Sequence, residues 1–489
     1  MKLNPNDRKL ALVLKAMEDV VVPELTSSGA QSAAGMIIAT LTDILKQEHG
    51  SVAILQECIG AGVTLANEIS AQLGSSSAVS ELSLAEADSL AKLLPLHETL
   101  TAGLAQLCEQ LSASTLPAES ISATLRRAAE WELSYYTCQA ALPVPELARV
   151  ETAGSPLSKE LLQDYLNSLQ QDSGDGIEVT GFRPLPGGFG KQTYLCEYRD
   201  PDGVDHDLVV RKTDPTPIMM HGACDLENEC ELLTALAKVD YPSPKPLHFA
   251  ASFKDVDGSF YTMDKIAGSP PGGFLDGVSG EVDERVFLEL AELLGRLHSL
   301  PMETFADYIH KYDDPRILEA TTEECYRYNL EGWERYMQQQ EHLPSPYMFW
   351  LLDWLKRNIP KDTRKPILIH GDFNIHNVLV DADRVTAVLD WECAGFGAPE
   401  QDLAYIQPHI SKHIDWDRFV QHYRDHGGKD IDPAAMPFGL VYSALRTNLA
   451  GNRGTHNLQV GANEDVRYAM VELGFTASFM GMALQSAKG

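Results

Sequence analysis

The sequence predicts an α+β chain in which an all-helical domain precedes a bilobal part, a small β-rich lobe followed by a larger, mostly helical one. Three observations carry this. Residues 1 to about 140 repeat apolar side chains at three- and four-residue intervals, as in "RKLALVLKAMEDVVVPEL" and "VAILQECIGAGVTLANEISAQL", which is the period of an amphipathic helix. Beyond a Pro- and Gly-bearing stretch at 142–158, read as a linker, the pattern becomes short β-rich runs: "GIEVTGFRPL", "QTYLCEYRD" and "HDLVVRKT". From Val282 onward helical spacing returns, interrupted by "ILIHGDFNIHNVLVDADRVTAVLDWE" at 367–392. The expected divisions are 1–150 for a helical bundle that docks or oligomerises, 151–268 for the β-rich lobe and 269–489 for the helical lobe. Each part is expected to carry its own core, so that a chain beginning near residue 150 would still fold.

A length of 489 residues suits two to four domains, and 44% hydrophobic with 22% charged residues is the composition of a soluble globular protein. Lys and Arg number 39 against 70 Asp and Glu, a net charge of −31. Such a surface repels nucleic acid and anionic lipid, so neither is expected as a partner. An anionic small ligand would need a local nest of cations. The 8 Cys form no CxxC pair, consistent with reduced thiols. The N-terminus has no uninterrupted apolar core of a signal peptide, and no stretch approaches the ~18 apolar residues of a membrane span. The expectation is a cytoplasmic protein.

The 367–392 stretch carries the chemistry. It reads as strand, polar loop, strand, tight turn at Asp381-Ala382-Asp383-Arg384, and strand. "HGDFNIHN" sets Asp372 and Asn377 five residues apart, the Asp-to-Asn interval of a kinase catalytic loop. One carboxylate must accept or orient the proton of an attacking hydroxyl, and a nearby amide oxygen must ligate Mg²⁺. A further carboxylate at a strand edge bridges the metal to nucleotide phosphates. Asp372, Asn377 and Asp390 take those roles.

Upstream, "PLPGGFGKQTY" offers Gly187, Gly188, Gly190 and Thr193 to a nucleotide, because glycine lets the backbone approach phosphate with its N–H groups aimed at it. "LVVRK" ends a strand with Arg211 and Lys212, and alternation sends only one inward. Arg211 is the choice, for its bidentate fork, with Lys212 as the fallback. The cation needs a carboxylate, and among Glu227, Glu229 and Glu231 of "DLENECELLTAL" the choice is Glu229. "FYTMDKIAG" fits the connection between lobes, with backbone groups around Met263 to Ile266 open to adenine.

From about residue 180 to the C-terminus the chain resembles the aminoglycoside phosphotransferase (APH) family of small-molecule kinases, in "HGDFNIHN", "VLDWE" and "QDLAY". The resemblance implies a bilobal protein-kinase-like fold, ATP and Mg²⁺ as cofactors, a catalytic base at Asp372 and metal ligands at Asn377 and Asp390. It also implies a structural role for Asp402 and a bracing role for His370. "PGGFGKQTYL", "VVRK", "LGRLHSL", "EGWERYMQQQ" and "LLDWLKRNIP" are similar, more narrowly, to the kinase domains of acyl-CoA dehydrogenase family members 10 and 11 and to bacterial 4-hydroxyacyl-CoA kinases. These phosphorylate a hydroxyl on an acyl-CoA. "VVVPELTSSGAQSAAGMI" resembles a helical companion of some such kinases. Gly190 stands where many relatives have Ser, whose hydroxyl would help hold a phosphate, and Lys191 and Gln192 are also unusual for the subfamily, which leaves ATP against GTP open.

The implied acceptor is a hydroxyacyl-CoA or related catabolic intermediate. An amino sugar or aminoglycoside, an amino alcohol or a sugar is the alternative acceptor, and a non-catalytic nucleotide-binding module is the alternative of another class. A CoA thioester needs cations. Arg446 and Arg453, seven apart in "ALRTNLAGNRG", share a helix face if the helix runs that far. Trp333 and Arg335 offer a second mixed surface. A homodimer is one role open to the helical domain.

Overall fold

The computed structural model describes residues 21–76, 87–143, 157–170, 176–185, 191–214, 225–273, 277–278, 282–339, 342–459 and 475–488, with isolated positions besides. The chain divides into two units: Met1–Ala153 with Met337–Asn358 and Ala444–Gly489, and Gly154–Tyr336 with Ile359–Ser443. The first unit is therefore discontinuous in sequence, and the expected 269–489 segment is shared between both.

The first unit is helical. α1 (Ser28–Leu73), α2 (Leu90–Ser112) and α3 (Ala118–Ala140) pack through Leu55, Ile59, Ile69, Leu100, Leu104, Leu125 and Trp131, all buried. Ser27 caps α1 by accepting from the Ala30 amide, and Gly74 ends it in the left-handed region at φ 63°. The Trp131 indole donates to the Cys58 carbonyl at 2.9 Å. By length and composition Gly50–Leu73 would suffice to cross a membrane, which departs from the sequence expectation; here Leu65, Ala66 and Ile69 of that stretch are buried in the bundle.

The second unit begins with α4 (Lys159–Ser168) and a five-stranded antiparallel sheet ordered β1-β2-β3-β5-β4. Its strands are β1 (Glu178–Pro184), β2 (Lys191–Arg199), β3 (Asp205–Thr213), β4 (Pro246–Ala250) and β5 (Phe260–Asp264), with α5 (Leu226–Ala237) between β3 and β4. The sheet has two covered faces. Leu162 and Tyr165 of α4 share one cluster with Leu208, Val210 and Phe260. Leu226, Cys230 and Leu233 of α5 share the other with Val209, Tyr261 and Met263. Period-two alternation along β3 thus puts Lys212 on the α4 side with Val210, and Arg211 on the α5 side with Val209.

The helical lobe follows: α6 (Glu284–Ser299), α7 (Ala306–Tyr312) and α8 (Thr322–Gln339). Then α9 (Pro346–Arg357) belongs to the first unit, capped by Ser345 and with Pro346 in its first turn. The 367–392 stretch forms β6 (Ile367–Ile369), β7 (Val378–Asp381) and β8 (Arg384–Val388), and β9 (Gly395–Gly397) returns antiparallel to β6. Ala382 and Asp383, both at positive φ, make the tight turn between β7 and β8. α10 (Pro399–Ile410), α11 (Trp416–Asp425) and α12 (Met436–Gln459) follow, with α13 (Ala477–Ser486) at the end.

Candidate active site

The loop between β6 and β7 and the turn after β8 are tied together by backbone bonds. The Leu389 amide donates to the Asn377 carbonyl at 2.7 Å, and Val388 donates to Pro242 at 2.8 Å. The buried His370 ring spans the gap, with Nε2 2.8 Å from the Leu389 carbonyl and Nδ1 accepting from the Asp372 amide at 3.2 Å. At Gly371, φ is 79° and a Cβ would meet the Cys393 carbonyl oxygen at 2.1 Å, so only glycine admits both the turn and the approach. Beneath the loop, Asp402 on α10 is fully buried and accepts from the amides of His370 and Gly371, each at 2.8 Å. His298 of α6, also fully buried, lies 3.2 Å from the same carboxylate through Nε2 and 3.0 Å from the Tyr423 hydroxyl through Nδ1.

On this frame Asp372 and Asn377 meet. Asn377 Nδ2 donates to the Asp372 carbonyl at 3.0 Å and to its Oδ2 at 2.9 Å, which leaves the amide oxygen of Asn377 for another partner. His376 Nε2 lies 3.7 Å from Asp372 Oδ1, and the Tyr405 hydroxyl addresses the same carboxylate. Burial alone would raise the Asp372 pKa. The nearby His376 imidazole, with the Tyr405 hydroxyl, more than offsets it and holds the carboxyl below its usual value.

Asp390 follows β8 in the left-handed region, φ 62° and ψ 62°, a conformation a non-glycine residue holds only where its surroundings impose it. Its Oδ1 accepts from Arg211 at 2.6 Å. Arg211 Nε lies 2.8 Å from Glu229 Oε1, and its NH2 group 3.5 Å from Glu392. Tyr261, across the sheet from Arg211, donates its hydroxyl to Glu229 Oε1 at 3.0 Å. Desolvation opposes the Arg211 charge, yet Glu229, Asp390, Tyr261 and Glu392 raise its pKa well above the usual value. The structure thus brings Arg211, Glu229 and Asp390 together. Lys212 points to the other face, fully buried, its ammonium on the Thr213 carbonyl at 3.0 Å and its pKa lowered by desolvation.

Thr193 pairs with Arg211 across β2 and β3. Met263 is buried on β5, and Ile266 is half-buried just beyond it. Gly187, Gly188 and Gly190 lie outside the described residues. Trp333 is buried, its ring edge-on to Tyr336 at 5.8 Å, while Arg335 is exposed. α12 does run through both Arg446 and Arg453, each half-buried, in the part assigned to the first unit.

Sequence reasoning missed Lys191 as a member of the site. It is 6% exposed, with Nζ 2.8 Å from Glu392 and 3.5 Å from Glu229. Its signal was the alternation of β2, since a residue two before Thr193 shares its face. His298 had none beyond its helical position in "LGRLHSL".

Residues 181–438 match the phosphotransferase enzyme family, APH. Among curated proteins, acyl-CoA dehydrogenase family member 11 of Rattus norvegicus is 31% identical over 201 residues, 40% of this chain and 24% of that protein. Family member 10 of Mus musculus is 29% identical over 209 residues, 41% of this chain and 18% of its own length. The chain thus spans about a quarter or less of these relatives. Among solved structures, the macrolide 2'-phosphotransferase MphH of Brachybacterium faecium aligns over 64% of this chain and 98% of its own, at 18% identity and a TM-score of 0.40. The family match takes in a little over half of the sequence and the whole Asp372–Asp390 frame, and the chain belongs to the APH family of phosphotransferases.

Proposed function

We propose that the protein transfers the γ-phosphoryl group of ATP, as its Mg²⁺ complex, to the hydroxyl of a hydroxyacyl-CoA or a closely related catabolic intermediate. The observation that carries the reading is the convergence of Asp372, Asn377 and Asp390 on one backbone-locked frame, with Arg211 fixed between Glu229 and Asp390.

In this reading Asp372 stays ionised, oriented by Asn377 and His376, and accepts the proton of the acceptor hydroxyl as the new P–O bond forms. The donor set suits magnesium: the amide oxygen of Asn377 and the carboxylate of Asp390 are hard oxygen ligands. Mg²⁺, when bound there, would neutralise charge on the β- and γ-phosphates. Arg211, Thr193 and the glycines Gly187, Gly188 and Gly190 would hold the phosphates, with Met263 and Ile266 beside the adenine. His370 and Asp402 act through the loop rather than on the substrate. The likeness to acyl-CoA dehydrogenase family members supports an acyl-CoA acceptor. Arg446 and Arg453, with Trp333 and Arg335 as lesser candidates, would meet it. A cytoplasmic location and a homodimer fit the same reading.

The test is an ADP-release screen of the purified chain with ATP and Mg²⁺, comparing hydroxyacyl-CoAs, free hydroxy acids, aminoglycosides, amino alcohols and sugars. The proposal expects the highest kcat/KM with a hydroxyacyl-CoA. A preference for an aminoglycoside over every CoA ester would replace the acceptor, and nucleotide binding with no turnover on any acceptor would leave a binding module.

A further inference from the structure

Far from the nucleotide residues in sequence, α6 and α11 pack with an unusually close backbone approach. A Cβ at Gly295 of α6 would lie 2.4 Å from the Tyr423 carbonyl oxygen and 3.1 Å from that of His426. The glycine lets the C-terminal turn of α11 settle on α6, and three side chains gather beside it. They are Glu292, one turn before Gly295, with His422 in the last turn of α11 and His426, four residues on, as its C-cap. One ligand atom from each lies within 4.8 Å of the other two. The two imidazole rings are 4.4 Å apart, and His426 Nε2 is 3.7 Å from Glu292 Oε2.

The orientation of His426 is what separates this group from a chance cluster. Its Nδ1 lies 2.8 Å from the His422 carbonyl oxygen. A ring nitrogen at that distance from a carbonyl must carry a proton, so in the neutral imidazole the Nε2 facing Glu292 holds the lone pair. That is the arrangement by which metal-binding histidines are aimed, the far nitrogen donating to a backbone carbonyl. Two imidazoles with one carboxylate from another element is also a recurring zinc set.

We propose that Glu292, His422 and His426 form a binding site for a first-row transition-metal dication, with Zn²⁺ as the ion to which the donor set is best matched. Two imidazole nitrogens and one carboxylate oxygen favour zinc over magnesium, which takes oxygen ligands. Zinc bonds of ~2.0–2.1 Å bring tetrahedral ligand atoms to roughly 3.3 Å of one another, so the present spacing closes by side-chain rotation. All three residues are half-exposed, which leaves the fourth position to water.

The site is distinct from the phosphotransfer centre but shares an element with its support. Tyr423, next to His422, is the residue whose hydroxyl meets His298, and His298 meets Asp402 under the catalytic loop. A metal bridging α6 to α11 clamps the two helices that carry this relay.

The experiment uses the untagged full-length chain, stripped with a chelator and held in millimolar Mg²⁺ so that the oxygen ligands around Asp390 are not available to zinc. Calorimetric titration with Zn²⁺ should show one saturable equivalent in the wild type that is missing in the His422→Ala, His426→Ala double variant. Glu292→Gln should weaken the same equivalent at least ~10-fold, the loss that removal of a merely supporting group already brings. Zn²⁺ should raise the melting temperature of the wild type and leave that of the double variant unchanged. Unaltered circular dichroism in Glu292→Gln keeps the test decisive should the double variant fold poorly. The same uptake in wild type and Glu292→Gln would overturn the assignment, as would a wild type without saturable uptake.

Discussion

Glu132 offers a perturbation whose magnitude follows from its surroundings. It lies on α3 and is 6% exposed, with its carboxylate against the start of α9. Both of its oxygens accept from the Ser345 hydroxyl, at 2.9 and 3.0 Å, and Oε2 also accepts from the Tyr347 amide at 2.9 Å. Burial raises its pKa from 4.5 to about 7, against the lowering effect of the Tyr347 amide and Ser345 hydroxyl. Because the folded value lies above the unfolded one, the folded chain holds a proton that the unfolded chain has released between those two values. The stabilising contribution is complete below about pH 4.5 and is lost as pH rises through 7. A displacement of that size corresponds to about 3 kcal/mol. Glu132→Gln keeps the shape and an acceptor for Tyr347 but cannot ionise. Urea unfolding, with hydrogen exchange read on peptides from 337–358, should show the wild type losing about 3 kcal/mol relative to the variant between pH 4.5 and pH 8. Parallel pH profiles for the two proteins would refute the reasoning, since every other titrating group is common to both.

Asp372→Asn removes proton acceptance and keeps the shape, so kcat should fall roughly 10²- to 10⁴-fold with nucleotide affinity little changed, read by steady-state kinetics and calorimetry. Asp390→Ala should abolish turnover and weaken Mg²⁺-dependent ATP binding; unchanged affinity with retained activity would place the ion elsewhere. Arg446→Ala with Arg453→Ala should raise the KM for an acyl-CoA about ten- to a hundredfold for each charge-assisted hydrogen bond removed, while sparing the KM for ATP. Equal KM values for the CoA ester in variant and wild type would remove both residues from the acceptor site.

Much of the catalytic frame was legible because its signals are local. The Asp372–Asn377 interval, the turn at Ala382 and Asp383, and the rule that Arg211 and Lys212 face opposite sides of β3 each follow from spacing or strand alternation within a few residues, whereas the choice of Arg211 rested on its bidentate fork. The choice of Glu229 was legible only in part, since helix periodicity narrows three glutamates to a face without naming the partner. Lys191 and His298 were opaque for a different reason. Their roles depend on groups about two hundred and one hundred positions away, Glu392 and Asp402, and a buried cation or imidazole reads in sequence like any other.

The division of the chain shows the same limit on a larger scale. α9 reads as one more amphipathic helix of the second lobe, and its period is right. Yet its buried residues, among them Tyr347, Trp350, Leu351 and Leu355, belong with α2 and α3 in the helical unit. Burying such side chains is worth roughly 1.5–3 kcal/mol each, so α9 supplies a core face that the first 150 residues lack by themselves. The capping of α9 points the same way, because Glu132 reaches across to bond the Ser345 hydroxyl and the Tyr347 amide. A carboxylate is tolerated in that apolar setting only because those donors meet it, and they arrive from a segment more than two hundred residues later in the chain. Arg126 repeats the pattern by donating to the Leu484 carbonyl of α13 at 2.7 Å. The helical unit is therefore built from three separate stretches. Cutting the chain near residue 150 would strip α9 and α13 of the surfaces they cover, whatever the second unit can do by itself.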